Sequence, residues 1–421
     1  MTTLRNIVLT VICAALMFSA IAAQVFLCIV PDAPLPRTSN VEGRDYVQMS
    51  DLAELSIAEG EFQTQFEQYA ADSVPIKESL VQLSADLQRS QITIAAKSLG
   101  FNIYPTVFDS EYDIVEDEGL VVQEPTAAPR AKSRVERDLK TWTETLNEAA
   151  KSHPDTRFLV NIVLQVKQDD SNPPYDLFTS FEKMNAEWAQ SAWADRLDDS
   201  MTVFIDDVAD AEEVRTEWYA TDHHWTLKRA LDSYNRIAAA LGLKSAEWSD
   251  EHAFTPVPEW FGSYNRQGLY FGLTSTLVDQ DRDFSHLRHY ELKGGEPADE
   301  IDLGLRDGIV AGTASPDQVA KYNAYSDYFG NKQTVTINEG PNNGKTCLLV
   351  GDSMSYTLRR YIEDNYATTV TVLPGNIRTD KTLTWFIDRY DADDVIVLSH
   401  AYASYWIADR SPKFLGGDSQ K

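Results

Sequence analysis

The stretch Cys347–Ser355, "CLLVGDSMS", decides how the chain is read. The apolar run Cys347-Leu348-Leu349-Val350 stops at Gly351-Asp352-Ser353. A short run without polar residues, ended by a glycine, is the pattern of a strand buried on both faces. A strand, a tight turn and a helix in succession are the repeating step of a parallel α/β sheet. In such sheets the reacting groups sit at the carboxyl ends of the strands, and Ser353 stands at one of those ends. Backbone N–H groups at Ser353 and its neighbour would point into the crevice at a helix start, as an oxyanion hole requires. Helix capping by Asp352 or Ser353 accounts for the same letters. The pattern is not a Gly-x-Ser-x-Gly elbow, because Ser355 takes the last position.

Apolar runs predict further strands over Phe158–Val166, Met201–Ile205, Thr368–Leu373 and Val395–Leu398. Helical spacing predicts helices between them. Ser133–Ser152 carries Val135, Leu139, Trp142 and Leu146 on one face. Thr226–Leu241 carries Leu227, Ala230, Leu231, Tyr234, Ile237 and Leu241. Further helices are expected over Phe181–Leu197, Ser353–Asp364 and Thr382–Tyr390. Leu52–Gln91 reads as helix broken near Pro75, with Phe62, Phe66 and Tyr69 packing. Phe101–Val115 suggests a β excursion, Glu116–Lys132 a solvated loop, and Trp248–Asp302 an irregular insertion able to line a cleft. The expected fold is α/β, a mostly parallel sheet with helices on both faces. The expected division is 1–30, an anchor; 31–75, a spacer and membrane-proximal helix; and 76–415, a catalytic domain interrupted at 248–302.

The chain has 421 residues, with 65 Asp and Glu against 37 Lys and Arg, for a net charge of −28. That surface repels phosphate backbones and argues against nucleic acid as a partner. Ile7–Val30 is apolar apart from Thr10, Ser19 and Gln24, long enough to cross a bilayer as a helix. Arg5 before it and Asp32 after it place the N-terminus in the cytoplasm and the rest outside. The expectation is an uncleaved signal anchor. A cleaved signal peptide ending near Ala20-Ile21-Ala22, which would make the protein secreted, is the alternative. Cys13 and Cys28 lie in this segment. Cys347 is left alone in the remainder, so no disulfide or cysteine zinc site is expected there.

The second chemistry-bearing stretch is "YATDHHWT", Tyr219–Thr226. Read as extended chain, Asp222 and His224 share one side and His223 takes the other. A carboxylate beside an imidazole fixes its tautomer and stabilises the imidazolium formed when it takes a proton. Ser353 would supply the nucleophile, Trp225 would pack beneath, and Thr226 would cap the next helix. Metal binding by Asp222, His223 and His224 is a rival, and a structural histidine pair is another. Adjacent histidines on a strand diverge, so no metal and no other cofactor is expected.

"TDHHWT" followed by a distant "GDS" resembles the DHHW proteins, which group with the alginate O-acetyltransferases among the SGNH hydrolase-like proteins. "EGEFQTQFEQYAADSVPIKESL", "YFGNKQ" and "GKTCLLVGDSMS" carry the likeness over roughly Leu52–Val397. It implies Asp222 as orienting acid, His224 as base and Ser353 as nucleophile of a Ser-His-Asp triad, with His223 at a variable position. It departs from ordinary SGNH hydrolases, whose Asp-x-x-His follows the serine; His400 is the C-terminal decoy. The oxyanion and substrate candidates are Gly351, Asn331, Asn376 and Arg378. The implied activity is transfer of an acetyl group to or from hydroxyls of a cell-surface or exported polysaccharide, as O-acetyltransferase or esterase. The implied partners are a glycan acceptor and a membrane-bound acyltransferase. Aromatics within Trp260–Phe271 would suit sugar stacking or packing. The alternative is a non-catalytic, membrane-anchored glycan-binding or scaffold protein with a relic site.

Overall fold

The apolar runs form the middle of a large sheet. A computed structural model of the chain describes residues 38–39, 41–42, 44–52, 61–74, 77–98, 103–104, 112–117, 120–125, 132–164, 186–207, 213, 216–268, 272–401 and 403–416. Its backbone contacts divide the chain into Met1–Ser98 and Leu99–Lys421. The anchor expected over 1–30 lies outside the described residues. Among the described residues no helix is long and apolar enough to cross a membrane.

In the first unit, helices span Met49–Leu52, Glu61–Asp72 and Lys77–Ser98. One of these helices ends at Asp72 and the next begins at Lys77; Pro75, near which a break was expected, lies outside the described residues. Phe62 stacks on Phe66, as the helical spacing suggested. Asp72 organises this unit: its buried carboxylate accepts from Arg44 at 2.6 Å and from Lys77 at 2.9 Å. Burial opposes its charge, but those cations hold the carboxyl well below the usual range.

The second unit is built on an eight-stranded sheet. Its strands are β1 (Arg157–Val163), β2 (Thr202–Asp206), β5 (Leu287–Lys293), β6 (Glu296–Ile301), β7 (Thr334–Asn338), β8 (Thr346–Gly351), β9 (Thr368–Val372) and β10 (Asp394–His400). The order is β6-β5-β7-β9-β8-β10-β1-β2. β9, β8, β10, β1 and β2 run parallel, and these are the strands expected from the apolar runs. β7, β5 and β6 extend the sheet antiparallel beyond β9.

Alternate residues of each parallel strand enter opposite cores. Val160, Leu348 and Val395 face one core with Leu139, Trp142 and Leu146 of helix α1 (Lys132–Ser152) and Phe386 of α6 (Leu383–Tyr390). Leu159, Leu349 and Ile396 face the other, with Leu231, Tyr234 and Ile237 of α2 (Leu227–Leu241) and Ile362 of α5 (Arg359–Glu363). Each such side chain contributes about 1.5–3 kcal/mol by leaving water. Truncating Leu231 to Ala would cost about 2–5 kcal/mol. Thr226 caps α2 by accepting from Arg229 N–H, and Gly242 closes it in the left-handed conformation at φ 69°.

Several expectations are corrected. Trp248–Asp302 is not irregular: it holds β3 (Ala253–Trp260) and β4 (Ser275–Gln280), which pair antiparallel, and then β5 and β6. Part of Glu116–Lys132 is strand, Leu120–Pro125, paired with Tyr112–Asp117. Ser353–Asp364 is not one helix but a 3₁₀ turn, Ser353–Ser355, followed by α5. Cys347 is buried, and burial raises its thiol pKa well above the ordinary value.

Candidate active site

Asp222, His223 and His224 lie on a reversal of the chain, not on a strand. Trp218 bridges to Trp225, Tyr219 N–H donates to His224 O at 3.1 Å, and Thr226 N–H donates to Glu217 O at 2.8 Å. The loop between closes tightly, so alternation of side chains does not apply. His223 is therefore not on the far side of Asp222. The two imidazoles lie 3.9 Å apart, and His223 Nδ1 is 3.6 Å from Asp222 Oδ1.

Asp222 is buried and fully engaged. Its Oδ1 shares a short hydrogen bond with His224 Nδ1 and accepts His224 N–H at 3.1 Å. Its Oδ2 accepts Ser263 N–H at 2.6 Å. Burial would raise this carboxyl, but His224, His223 and the Ser263 amide hold it far below the carboxylate range. His223 shares a 2.8 Å hydrogen bond with Ser263 Oγ. Burial, helped by His224, pushes its pKa down to about 3, so it is neutral at pH 7. Gly262 lets helix α3 (Ser263–Gly268) approach the loop: a Cβ there would stand 2.6 Å from Asp222 Cβ. His224 Nε2 is buried with no hydrogen-bond partner. Asp222, His223 and His224 offer ligand atoms within 4.8 Å of one another. A metal ion seated among them would have to replace the Asp222–His224 hydrogen bond.

Ser353 sits where the sheet predicts, beyond the carboxyl end of β8, and it is half-buried. Asp352 caps the turn by accepting Met354 N–H at 2.8 Å. That amide is thus committed to the cap. Ser355 folds back to donate to Asp352 O at 2.7 Å. A Cβ on Gly351 would lie 2.8 Å from Ser355 Cβ, so a glycine is required.

Two side chains tie the histidine loop to this turn. The Trp225 indole N–H donates to Met354 O and to Thr357 Oγ1, both at 3.1 Å. Tyr325, on helix α4 (Ala324–Phe329), stacks on the His224 ring at 3.9 Å and 13° and donates its hydroxyl to Ser353 O at 2.9 Å. The loop that carries Asp222 and His224 is thus linked to the turn that carries Ser353.

The other candidates divide. Gly351 is part of the turn. Asn376 lies beyond β9, and its amide donates to Tyr356 OH at 2.8 Å. Asn331 and Arg378 are exposed, and no bond of either side chain marks them as part of the site. Of the aromatics in Trp260–Phe271, Trp260 is buried in a core and Tyr264 is buried near the His223 ring, both suited to packing; residues 269–271 lie outside the described residues. His400 ends β10 beside the site: its N–H donates to Asp352 Oδ2 at 2.9 Å, and its ring Nε2 is 3.8 Å from the same oxygen. Burial lowers its pKa, with Asp352 opposing and His224 adding to the effect.

Sequence reasoning missed Ser263 and Tyr325. Gly262-Ser263 after an aromatic strand is a visible helix-start signal. Tyr325 offered only the helical spacing of Tyr322, Tyr325 and Tyr328.

Comparison with protein-family models and with curated proteins gave no match. Solved structures do match. A DHHW family protein from Eubacterium siraeum superposes with a TM-score of 0.54 at 13% identity, over 73% of this chain and 98% of that one. Bacillus cereus PatB1 gives 0.51 at 15% identity, over 73% and 98%. PatB1 with a sulfonyl adduct gives 0.50 at 13% identity, over 73% and 97%. The O-acetyltransferase domain of Pseudomonas putida AlgJ gives 0.35 at 10% identity, below the level at which a shared fold follows. The likeness read in "TDHHWT" and "GDS" is met at the level of the fold: the chain is built like a DHHW family protein and like PatB1.

Proposed function

We propose that this chain is a serine-dependent acyl-transfer enzyme of the cell envelope, working on polysaccharide hydroxyls outside the cytoplasmic membrane. The observation that carries the reading is the joining of a buried Asp–His pair to a serine turn through Trp225 and Tyr325. In this reading His224 Nε2 takes the proton from Ser353 Oγ as the oxygen attacks an acyl carbonyl. Asp222 holds the other ring nitrogen and balances the imidazolium. The tetrahedral oxyanion collapses, His224 passes its proton to the leaving oxygen, and an acyl-serine remains. A glycan hydroxyl (transferase) or water (esterase) then attacks the ester with His224 again as base. Catalytic hydrogen bonds are often incomplete without substrate, so the present lack of a partner at Nε2 is compatible with this role.

The apolar segment near the N-terminus would anchor the domain at the membrane. A membrane-embedded acyltransferase would supply the acyl group from inside. PatB1 has been seen with a sulfonyl adduct, the product that a nucleophile forms with a sulfonyl halide. The test is incubation with p-nitrophenyl acetate or phenylmethylsulfonyl fluoride, reading nitrophenol release and the intact mass. Turnover and an adduct that both require Ser353 are expected. A wild type that neither turns over nor labels would favour a glycan-binding or scaffold role with a relic site.

A further inference from the structure

We infer that Tyr325 is a positioning residue that couples the base to the nucleophile, holding the His224 ring by its face and the Ser353 main chain by its hydroxyl. The inference rests on the Asp222–His224–Ser353 reading and adds a residue outside it.

The hydrogen bond to Asp222 fixes Nδ1 of His224 and leaves rotation about that contact open. The stacked phenol closes that freedom from one side, and His223 lies against the same imidazole at 3.9 Å. Tyr325 is itself locked. It is buried, Tyr219 meets it edge-on at 6.1 Å, Tyr356 stacks at 5.9 Å, and Phe329 packs at 5.3 Å. Its hydroxyl reaches Ser353 O and also bonds Thr357, whose Oγ1 accepts the Trp225 indole. Burial raises the phenol pKa well above its ordinary value, so the proton stays in place to be donated.

The chemistry gives this arrangement a use. The imidazole gains a positive charge as Ser353 attacks, and an aromatic face attracts a cation. The serine turn must hold still while its oxygen is acylated, and displacement by about 1 Å can cost about 100-fold in rate. One side chain serves both needs, which packing alone does not require.

The test compares Tyr325→Phe, Tyr325→Leu and Ser353→Ala in the acetylation burst with p-nitrophenyl acetate. Tyr325→Phe keeps the ring and loses the bond to Ser353 O; kcat should fall about tenfold, as for one lost hydrogen bond, with KM within about twofold. Tyr325→Leu loses both contacts; kcat should fall about 100-fold, again with little change in KM. Proton NMR should place the His224 Cε1–H upfield under the ring current in wild type and Tyr325→Phe, and downfield of that position in Tyr325→Leu. The inference is overturned if folded Tyr325→Leu keeps wild-type kcat, or if the His224 signal does not move. Should the leucine variant fail to fold, a Tyr325→Phe variant with unchanged kcat overturns the coupling through Ser353. Turnover persisting in Ser353→Ala sinks the triad itself; an inactive Ser353→Ala beside a fully active Tyr325→Leu sinks only the inference.

Discussion

Two carboxylate–imidazole couples flank the serine turn, and they are wired differently. In Asp222–His224 the carboxylate bonds directly to the ring, and main-chain amides take the remaining positions. In Asp352–His400 the carboxylate is taken by the N–H groups of Met354 and His400, and the ring stands 3.8 Å away. Both pairs are buried. The first carboxylate holds a ring nitrogen, the second holds a backbone turn. Residue types and burial do not separate them; the atom that receives each hydrogen bond does.

Kinetics tests this difference between the two pairs. The largest effect belongs to Ser353→Ala and His224→Ala, each expected to lower kcat/KM by about 10³- to 10⁶-fold, with the double variant little worse. Additive losses in steady-state assays would mean that the two do not act as a unit. Asp222→Asn should lose about 10³- to 10⁴-fold, because the wrong tautomer is then held. Asp352→Asn should act mainly on folding, costing about 1–3 kcal/mol in urea melts as an amide meets two donors. Equal activity losses at Asp222 and Asp352, with folding intact, would erase the distinction.

His400→Gln comes next, with a loss of activity within about tenfold and a lower Tm, the outcome of loosening a turn. If it matches His224→Ala in a folded protein, His400 is the base. The smallest effect is on stability against pH. An unfolded histidine takes up its proton near pH 6.5, while His223 stays neutral down to about 3. The unfolded chain binds more protons in that window, so stability present above pH 6.5 is lost as pH falls through it, by at most about 1.4 kcal/mol per pH unit. Asp222, with its depressed carboxyl, contributes a loss of the same sign only below about pH 4. Urea midpoints between pH 4.5 and 6.5 should therefore slope less steeply in His223→Gln. An unchanged slope would mean that His223 is not held neutral.

Apolar runs and helical spacing in the sequence encode the parallel strands of the sheet and the amphipathic helices on its two faces. A strand covered on both faces is mostly apolar, and the runs Phe158–Val160 of β1, Cys347–Val350 of β8 and Val395–Leu398 of β10 show it. The antiparallel strands were hidden for the converse reason. β6 reads "EPADEI" and is exposed almost throughout, while β5 alternates buried and exposed residues, so neither presents an apolar run. Asp222, His224 and Ser353 stood out as candidates because an Asp-x-His pair and a serine just beyond an apolar run carry the resemblance to the DHHW proteins. That His223 lies beside His224 follows from the folded chain and not from spacing, since a turn and not a strand sets their directions. Packing alone sets Tyr325 against both the His224 ring and the Ser353 main chain, from a helix 28 residues before Ser353. A local pattern encodes which face is apolar; which side chains converge from distant segments is fixed by how the elements pack, and no spacing within one segment records that.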